Sequence, residues 1–275
     1  MGVLIFGSMT WLVYTHSGWG AELASINIGY VVLGMMITGL ILGAWKTAEP
    51  SHPNTDRRPV IKWLLAFGVA GPLLNVLVVF IVGAVRPSYS ALRVPDSALE
   101  LGPGGWMQIA NYLITGALVL GFAAGLRLVL RTGRGSTWGP ILVGLYGLSF
   151  LGAGIFVTDP AAGYPPGAVT ESTFHGIVHN LLGLLQFASV IAACFVLSRR
   201  AAAPASRSVW FSYSLATGVV VAISYVVFIV IFRIGGPAGL IERIGIVAAC
   251  AWMAILAIRV WRTIEIGGCR LRERS

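Results

Sequence analysis

Charge is what this chain has least of. Only 11% of its 275 residues are Asp, Glu, Lys or Arg, and ten of these are acidic. That is too little polar surface to cover a soluble globule. Cysteine is also scarce. Cys194, Cys250 and Cys269 form no CxxC pair, and their odd number cannot all be paired, so neither a disulfide framework nor a cysteine metal site is expected. Internal repeats, low-complexity tracts and long polar linkers are missing as well, which leaves no boundary between separately folded units. Residues 1–14 lack the basic start and small-residue cleavage site of a secretory signal. At 1.5 Å per residue they reach about 21 Å, short of a hydrocarbon core of about 30 Å. They are expected at the outer surface or half inserted.

What is present is hydrocarbon. Hydrophobic residues make up 57% of the chain and the mean hydropathy is +0.84. Seven apolar runs are long enough to cross a bilayer: 25–45, 61–85, 106–130, 138–157, 174–197, 209–232 and 240–261. Trp45, Trp63, Trp106, Trp138, Trp210 and Trp261 stand near their ends, where indole rings prefer the headgroup zone. The net charge of +9 would suit a nucleic-acid binder only if it were gathered on one solvated face. Instead the basic residues punctuate the apolar runs, and no nucleic-acid partner is expected. Of the 19 Lys and Arg, all but Arg86, Arg93, Arg233 and Arg243 fall in alternate connections on one side. The positive-inside rule puts that side and the carboxyl terminus in the cytoplasm, and for seven spans the amino terminus outside. The expected fold is all-α: a polytopic transmembrane helix bundle of about seven spans, multi-pass in the inner (plasma) membrane, with the lipid bilayer as its first partner.

This topology gathers the polar residues at the outer side. Arg86, Tyr89, Asp96, Ser97 and Glu100 follow the second run, Asp159 and Glu171 precede the fifth, and Arg233, Glu242 and Arg243 flank the last outer turn. His175 and His179 are four apart, so on a helix they point the same way near its start. Titratable groups at such a place in a membrane protein are a functional hypothesis by default. One reading makes His175, His179 and Asp159 ligands for zinc or another divalent metal, with Glu242 and His16 as further donors, since zinc takes three or four protein ligands. The other makes the histidines neutral, hydrogen-bonded partners of neighbouring helices, structural or pH-responsive. Asp159 precedes Pro160 and also suits a turn, and Glu242 suits the positive end of its own helix. Arg86, with Arg93, is positioned for lipid phosphates. Ser97 has no adjacent base. Arg86, Tyr89, Ser97, Asp159, Glu242 and Arg243 together form the candidate pocket, for a lipid or other amphipathic ligand.

Several stretches carry a family resemblance. They are Gly71-Pro72-Leu73-Leu74, Arg86-Pro87-Ser88-Tyr89 and the run from Ser97 to Trp106, with Asn111, Tyr112 and Gly116 after them. Phe156 to Pro160, Gly163 to Gly167 and His175 to His179 continue the pattern. In this order, over about residues 69–262, the chain resembles the prokaryotic membrane family catalogued as domain of unknown function 998. That resemblance implies about six spans. It divides the chain into residues 1–60, an extension with a short apolar segment and one transmembrane helix, a six-span membrane core over 61–262, and a basic cytoplasmic tail over 263–275. It implies no reaction. A more distant likeness is to seven-span zinc hydrolases of the alkaline ceramidase and progestin-receptor type, whose helix-borne histidines work with a serine and an aspartate. Those sites take a third histidine from another span, for which only His16 or a carboxylate stands in here. The enzyme implied by that likeness is a metal-dependent hydrolase of lipids, and the alternative is a transporter subunit, lipid-binding module or sensor.

Overall fold

The computed structural model describes residues 58–200 and 204–272. Within them it is helical, with no strand. Six long helices are α1 (Arg58–Val85), α2 (Trp106–Val129), α3 (Trp138–Ile155), α4 (Phe174–Ser198), α5 (Pro204–Arg233) and α6 (Ala238–Arg272). All six are long and apolar enough to cross a membrane. They coincide with six of the seven apolar runs, and α6 continues as helix through 263–272. The first run, 25–45, and the segment 1–14 lie outside the described residues.

Each helix packs on the next in the chain, and α6 also packs on α1, so the six close into a ring. The ring is filled by Phe122, Leu126, Leu142, Phe150, Leu197, Trp252 and Met253, none of them solvent-exposed. Leu77, Phe80 and Ile81 of α1 and Val219, Ile223 and Val226 of α5 are among the large apolar side chains left outside. Hydrocarbon is their natural solvent. Close helix approach needs small residues, because lipid provides no hydrophobic drive between helices. Where α2 crosses α3 the small residues are Gly116 and Gly147: a Cβ built on Gly116 would stand 2.8 Å from the Gly147 carbonyl oxygen.

Successive helices alternate in direction, so the bundle has two chemically distinct ends. One end carries Lys62, Arg131, Arg134, Arg199, Arg200 and Arg262. The other, the acidic end, carries the connections 86–105, 156–173 and 234–237. The longest of these contains a 3-10 helix, Asp96–Glu100. The two carboxylates of this short helix are nearly as buried as its Ala98 and Leu99: Asp96 is 4% exposed and Glu100 4%.

Candidate functional site

The acidic end is held together by two inward-turned arginines. Arg86, at the end of α1, donates from Nη2 to the Leu99 carbonyl at 3.1 Å and from Nη1 to the carbonyls of Leu101, at 3.5 Å, and Pro103. It is 8% exposed. The expected reach to lipid phosphates is therefore not what this side chain does: carbonyls in a tight connection lack helical partners, and a guanidinium with five donors meets three of them. Arg243 of α6 does the same from the other side. Its Nη1 donates to Ala91 O (2.8 Å), Gly239 O (2.9 Å) and Val94 O (3.3 Å), and its Nη2 donates to the Tyr89 hydroxyl. Its guanidinium also lies 5.6 Å from the Tyr89 ring centroid. Tyr89 donates in turn to Pro95 O at 2.9 Å.

Glu242, next to Arg243, accepts a 2.8 Å hydrogen bond at Oε2 from the backbone N–H of Asp96. The carboxylate expected to cap its own helix instead caps the first turn of the 3-10 helix. Geometry explains the choice: that N–H is buried and would otherwise have no partner. Asp96 Oδ2 accepts from the Tyr112 hydroxyl at 3.2 Å. Glu100 Oε2 accepts from the Thr158 N–H at 3.0 Å, while its Oε1 has no partner. Burial is the main cause that pushes the Glu100 carboxyl up, to about 8, with the nearby Asp96 carboxylate adding to it and the Thr158 bond opposing.

The two histidines part company. His179 is 6% exposed, and its Nδ1 donates to the Phe156 carbonyl at 2.8 Å and stands 3.5 Å from Glu100 Oε2. His175 is exposed and lies against the rings of Phe156, at 5.4 Å, and Phe174. Four residues on a helix turn through about 400°, so the pair diverges by about 40°. The inner histidine sits in the ring and the outer one at its rim. Asp159 is occupied elsewhere. Its Oδ2 accepts from the Thr173 N–H (2.9 Å) and its Oδ1 from the Thr173 hydroxyl (2.6 Å), and that hydroxyl accepts from Gly176 N (3.1 Å) as the cap of α4. Among the described residues no three His, Cys, Asp or Glu side chains are grouped to hold a metal ion, and His16 lies outside them. His175, His179 and Asp159 are not gathered into one group. Ser97 is half-buried. Replacing Thr173 by Ala removes both the α4 cap and the anchor of Asp159. Thermal unfolding in detergent should register a loss of about 1–2 kcal/mol.

The cluster thus joins Tyr89, Asp96, Glu100, Glu242, Arg243 and His179, with Arg86 beneath. Tyr112 was outside the sequence-based pocket. Its signal was the spacing Gln108, Asn111, Tyr112, Thr115, which puts four polar side chains on one face of α2. All four are at most 5% exposed.

The family described as "Protein of unknown function (DUF998)" matches residues 69–259, over two-thirds of the chain. The chain belongs to this family. Every residue of the buried cluster lies inside the matched region, so the ring and its acidic end are the family's part of the chain. Neither a curated protein nor a solved structure matches the chain significantly.

Proposed function

We propose that this member of the domain of unknown function 998 family is a proton-responsive membrane component, with the Glu100–His179 contact as its titrating element. The observation that carries the reading is a carboxyl whose side chain has no solvent exposure, 3.5 Å from an imidazole nitrogen and with one oxygen unpartnered. Charge counting supports it. Two buried guanidiniums, Arg86 and Arg243, balance two buried carboxylates, and the third carboxyl is best accommodated neutral. Asp96 and Glu242 are the two carboxylates beside the Arg243 guanidinium, and the Asp96 N–H links them. Glu100 keeps one oxygen without any donor, and the proton is placed there. By the distribution of Lys and Arg, this end faces outward, where pH varies with the surroundings.

The groups facing Glu100 are Asp96 on its own helix, His179 of α4, Tyr112 of α2 and Thr158 of the α3–α4 connection, with the Glu242 and Arg243 pair of α6 reached through Asp96. Arg86 grips the neighbouring carbonyls of Leu99 and Leu101. Loss of the proton puts a charge where three helices and two connections meet. That charge attracts His179 and repels Asp96. The elements best placed to respond are the 3-10 helix and the start of α4.

The sign of the stability effect follows. The folded protein holds the Glu100 proton up to about pH 8, whereas the unfolded chain releases it in the ordinary glutamate range. Stability is therefore greatest below the ordinary glutamate range, falls as pH rises through the window, and levels off above about 8. At ~1.4 kcal/mol per pKa unit the full step is on the order of 5 kcal/mol. Glu100→Gln, which mimics the neutral acid, should flatten this step in detergent unfolding between pH 5 and 8.5 while keeping the low-pH stability. A wild type with no step in this window, or a variant with the same step, rejects Glu100 as the titrating group.

A further inference from the structure

Below the acidic cluster the ring contains a second polar group, formed by three amides. Asn111 Nδ2 donates to Asn75 Oδ1 at 3.0 Å and to Gln108 Oε1 at 3.3 Å, and Asn111 Oδ1 accepts from the Thr115 hydroxyl at 3.3 Å. Asn75 Nδ2 and Gln108 Nε2 are then left without partners, in side chains that are 1% and 0% exposed. Turning the amides over does not remove the shortage. If all three flip, Asn111 Oδ1 accepts from both neighbours, and the free ends become the oxygens of Asn75 and Gln108. Two free amide ends of one kind remain in either orientation.

A buried amide end without a partner costs about 1–3 kcal/mol, and in a bilayer no solvent stands outside to relieve it. Gln108 is two residues from the start of α2 at Trp106, about 3 Å down, and Asn75 is far deeper. Asn75 is ten residues from the end of α1 at Val85 and Cys250 twelve from the start of α6 at Ala238, about 15 and 18 Å down at 1.5 Å per residue. That is the middle of a hydrocarbon core of about 30 Å. Both Asn75 and Tyr146 lie next to the Cys250 thiol, and Gln186 lies next to Tyr146. Upward, Gln108 lies against Tyr112, which donates to Asp96, and Glu100 offers its unpartnered Oε1. Beyond mid-depth the ring is closed by Phe122, Leu126, Leu142 and Trp252. Amide and ionisable side chains therefore run from the acidic end to the middle of the membrane, and the deeper hydroxyls of Ser189, Ser198 and Ser214 are already hydrogen-bonded.

We infer that the free ends of Asn75, Gln108 and Glu100 hold water, making the ring a hydrated half-channel that gives protons from the acidic end access to the middle of the membrane. Water is the ligand class the chemistry selects. It supplies donors or acceptors as the amides require, and a buried water makes about three hydrogen bonds. This deepens the proton-responsive reading and rests on Glu100 being the group that exchanges its proton with the acidic side.

The two buried thiols report on it. Cys250 borders the amide group, whereas Cys194 is fully enclosed in the apolar core. In the full-length Cys269→Ser protein, transferred to D2O in detergent or nanodiscs, the infrared S–H stretch of each thiol decays as water reaches it. Cys250→Ala and Cys194→Ala assign the bands. Cys250 should exchange about tenfold faster than Cys194, or more. Asn111→Leu, with unchanged helix content, should slow Cys250 towards the Cys194 rate. Equal, slow exchange of the two thiols in the folded protein overturns the half-channel, whether or not Asn111→Leu folds. The two proposals fail separately. Slow Cys250 exchange with an intact Glu100 pH step removes the half-channel alone. Fast exchange with a flat pH profile removes Glu100 as the titrating group and leaves the hydration.

Discussion

Arg243→Met should destabilise the protein by on the order of 4 kcal/mol, and at the acidic end first. The guanidinium serves the carbonyls of Ala91, Val94 and Gly239 and the Tyr89 hydroxyl while being 5% exposed. Methionine replaces the volume but none of the donors. Charge-assisted hydrogen bonds contribute about 1.5–3 kcal/mol each, and their buried acceptors would be left unsatisfied. The Glu242 carboxylate would also lose its neighbouring positive charge inside a low-dielectric site. Hydrogen exchange should show the 89–100 segment losing protection before the helices open, and detergent unfolding should show the full loss. Arg243→Lys should recover only part of it, because an ammonium cannot span the same fork of acceptors. A loss below about 1 kcal/mol for Arg243→Met would mean that the connection is held by something other than this clamp.

The second large effect is expected at Gly105, the residue before α2. A Cβ there would overlap the Glu100 carbonyl carbon and oxygen and approach the Gly102 oxygen to 3.2 Å. These are backbone atoms, so no side chain can rotate away to make room. Gly105→Ala must therefore either displace the end of the 3-10 helix or shift the start of α2. A loss of more than about 3 kcal/mol is expected, in the range of overpacked core sites. Glu100 would be displaced with its carbonyl, so the pH step assigned to it should shift or disappear in any fraction that still folds. Gly183→Ala is the control. Nothing lies within 4 Å of a Cβ at that helical position, and alanine there should be neutral or stabilising by up to about 1 kcal/mol. If Gly105→Ala behaved like Gly183→Ala, the close approach of the 3-10 helix to α2 would be wrong.

The residues at the acidic end show which parts of a membrane site can be read from a sequence. Arg86, Tyr89, Glu242 and Arg243 stand out in the sequence as candidates because charge and phenol near apolar runs are rare and need a reason. Their partners were not legible. Arg243 meets carbonyls about 150 residues away, and Arg86 meets carbonyls in a connection whose path no periodicity encodes. The histidine pair was misleading in a simple way. Helical spacing sets two side chains on one face, but which of them is inward depends on where the neighbouring helix ends. Here α3 ends at Ile155, and its last turn and the following Phe156 cover His179 while His175 lies beyond them. One at a time, Tyr112 and the amides are single polar residues in apolar runs. They stand out only when the ring brings α1, α2, α3 and α6 around them.

By itself the sequence determined six of the membrane helices, though not where α5 begins or where α6 ends, and, with the family match, which part of the chain is the family's. Apolar runs of about 20 residues have no other stable form in a bilayer than helix, so length and hydropathy decide them locally. The closure of α6 onto α1, the inward turn of both arginines and the separation of Glu100 from the other carboxylates were decided only by tertiary structure. Each depends on which buried donor meets which buried acceptor across the ring, and that pairing is fixed by packing between residues far apart in the chain.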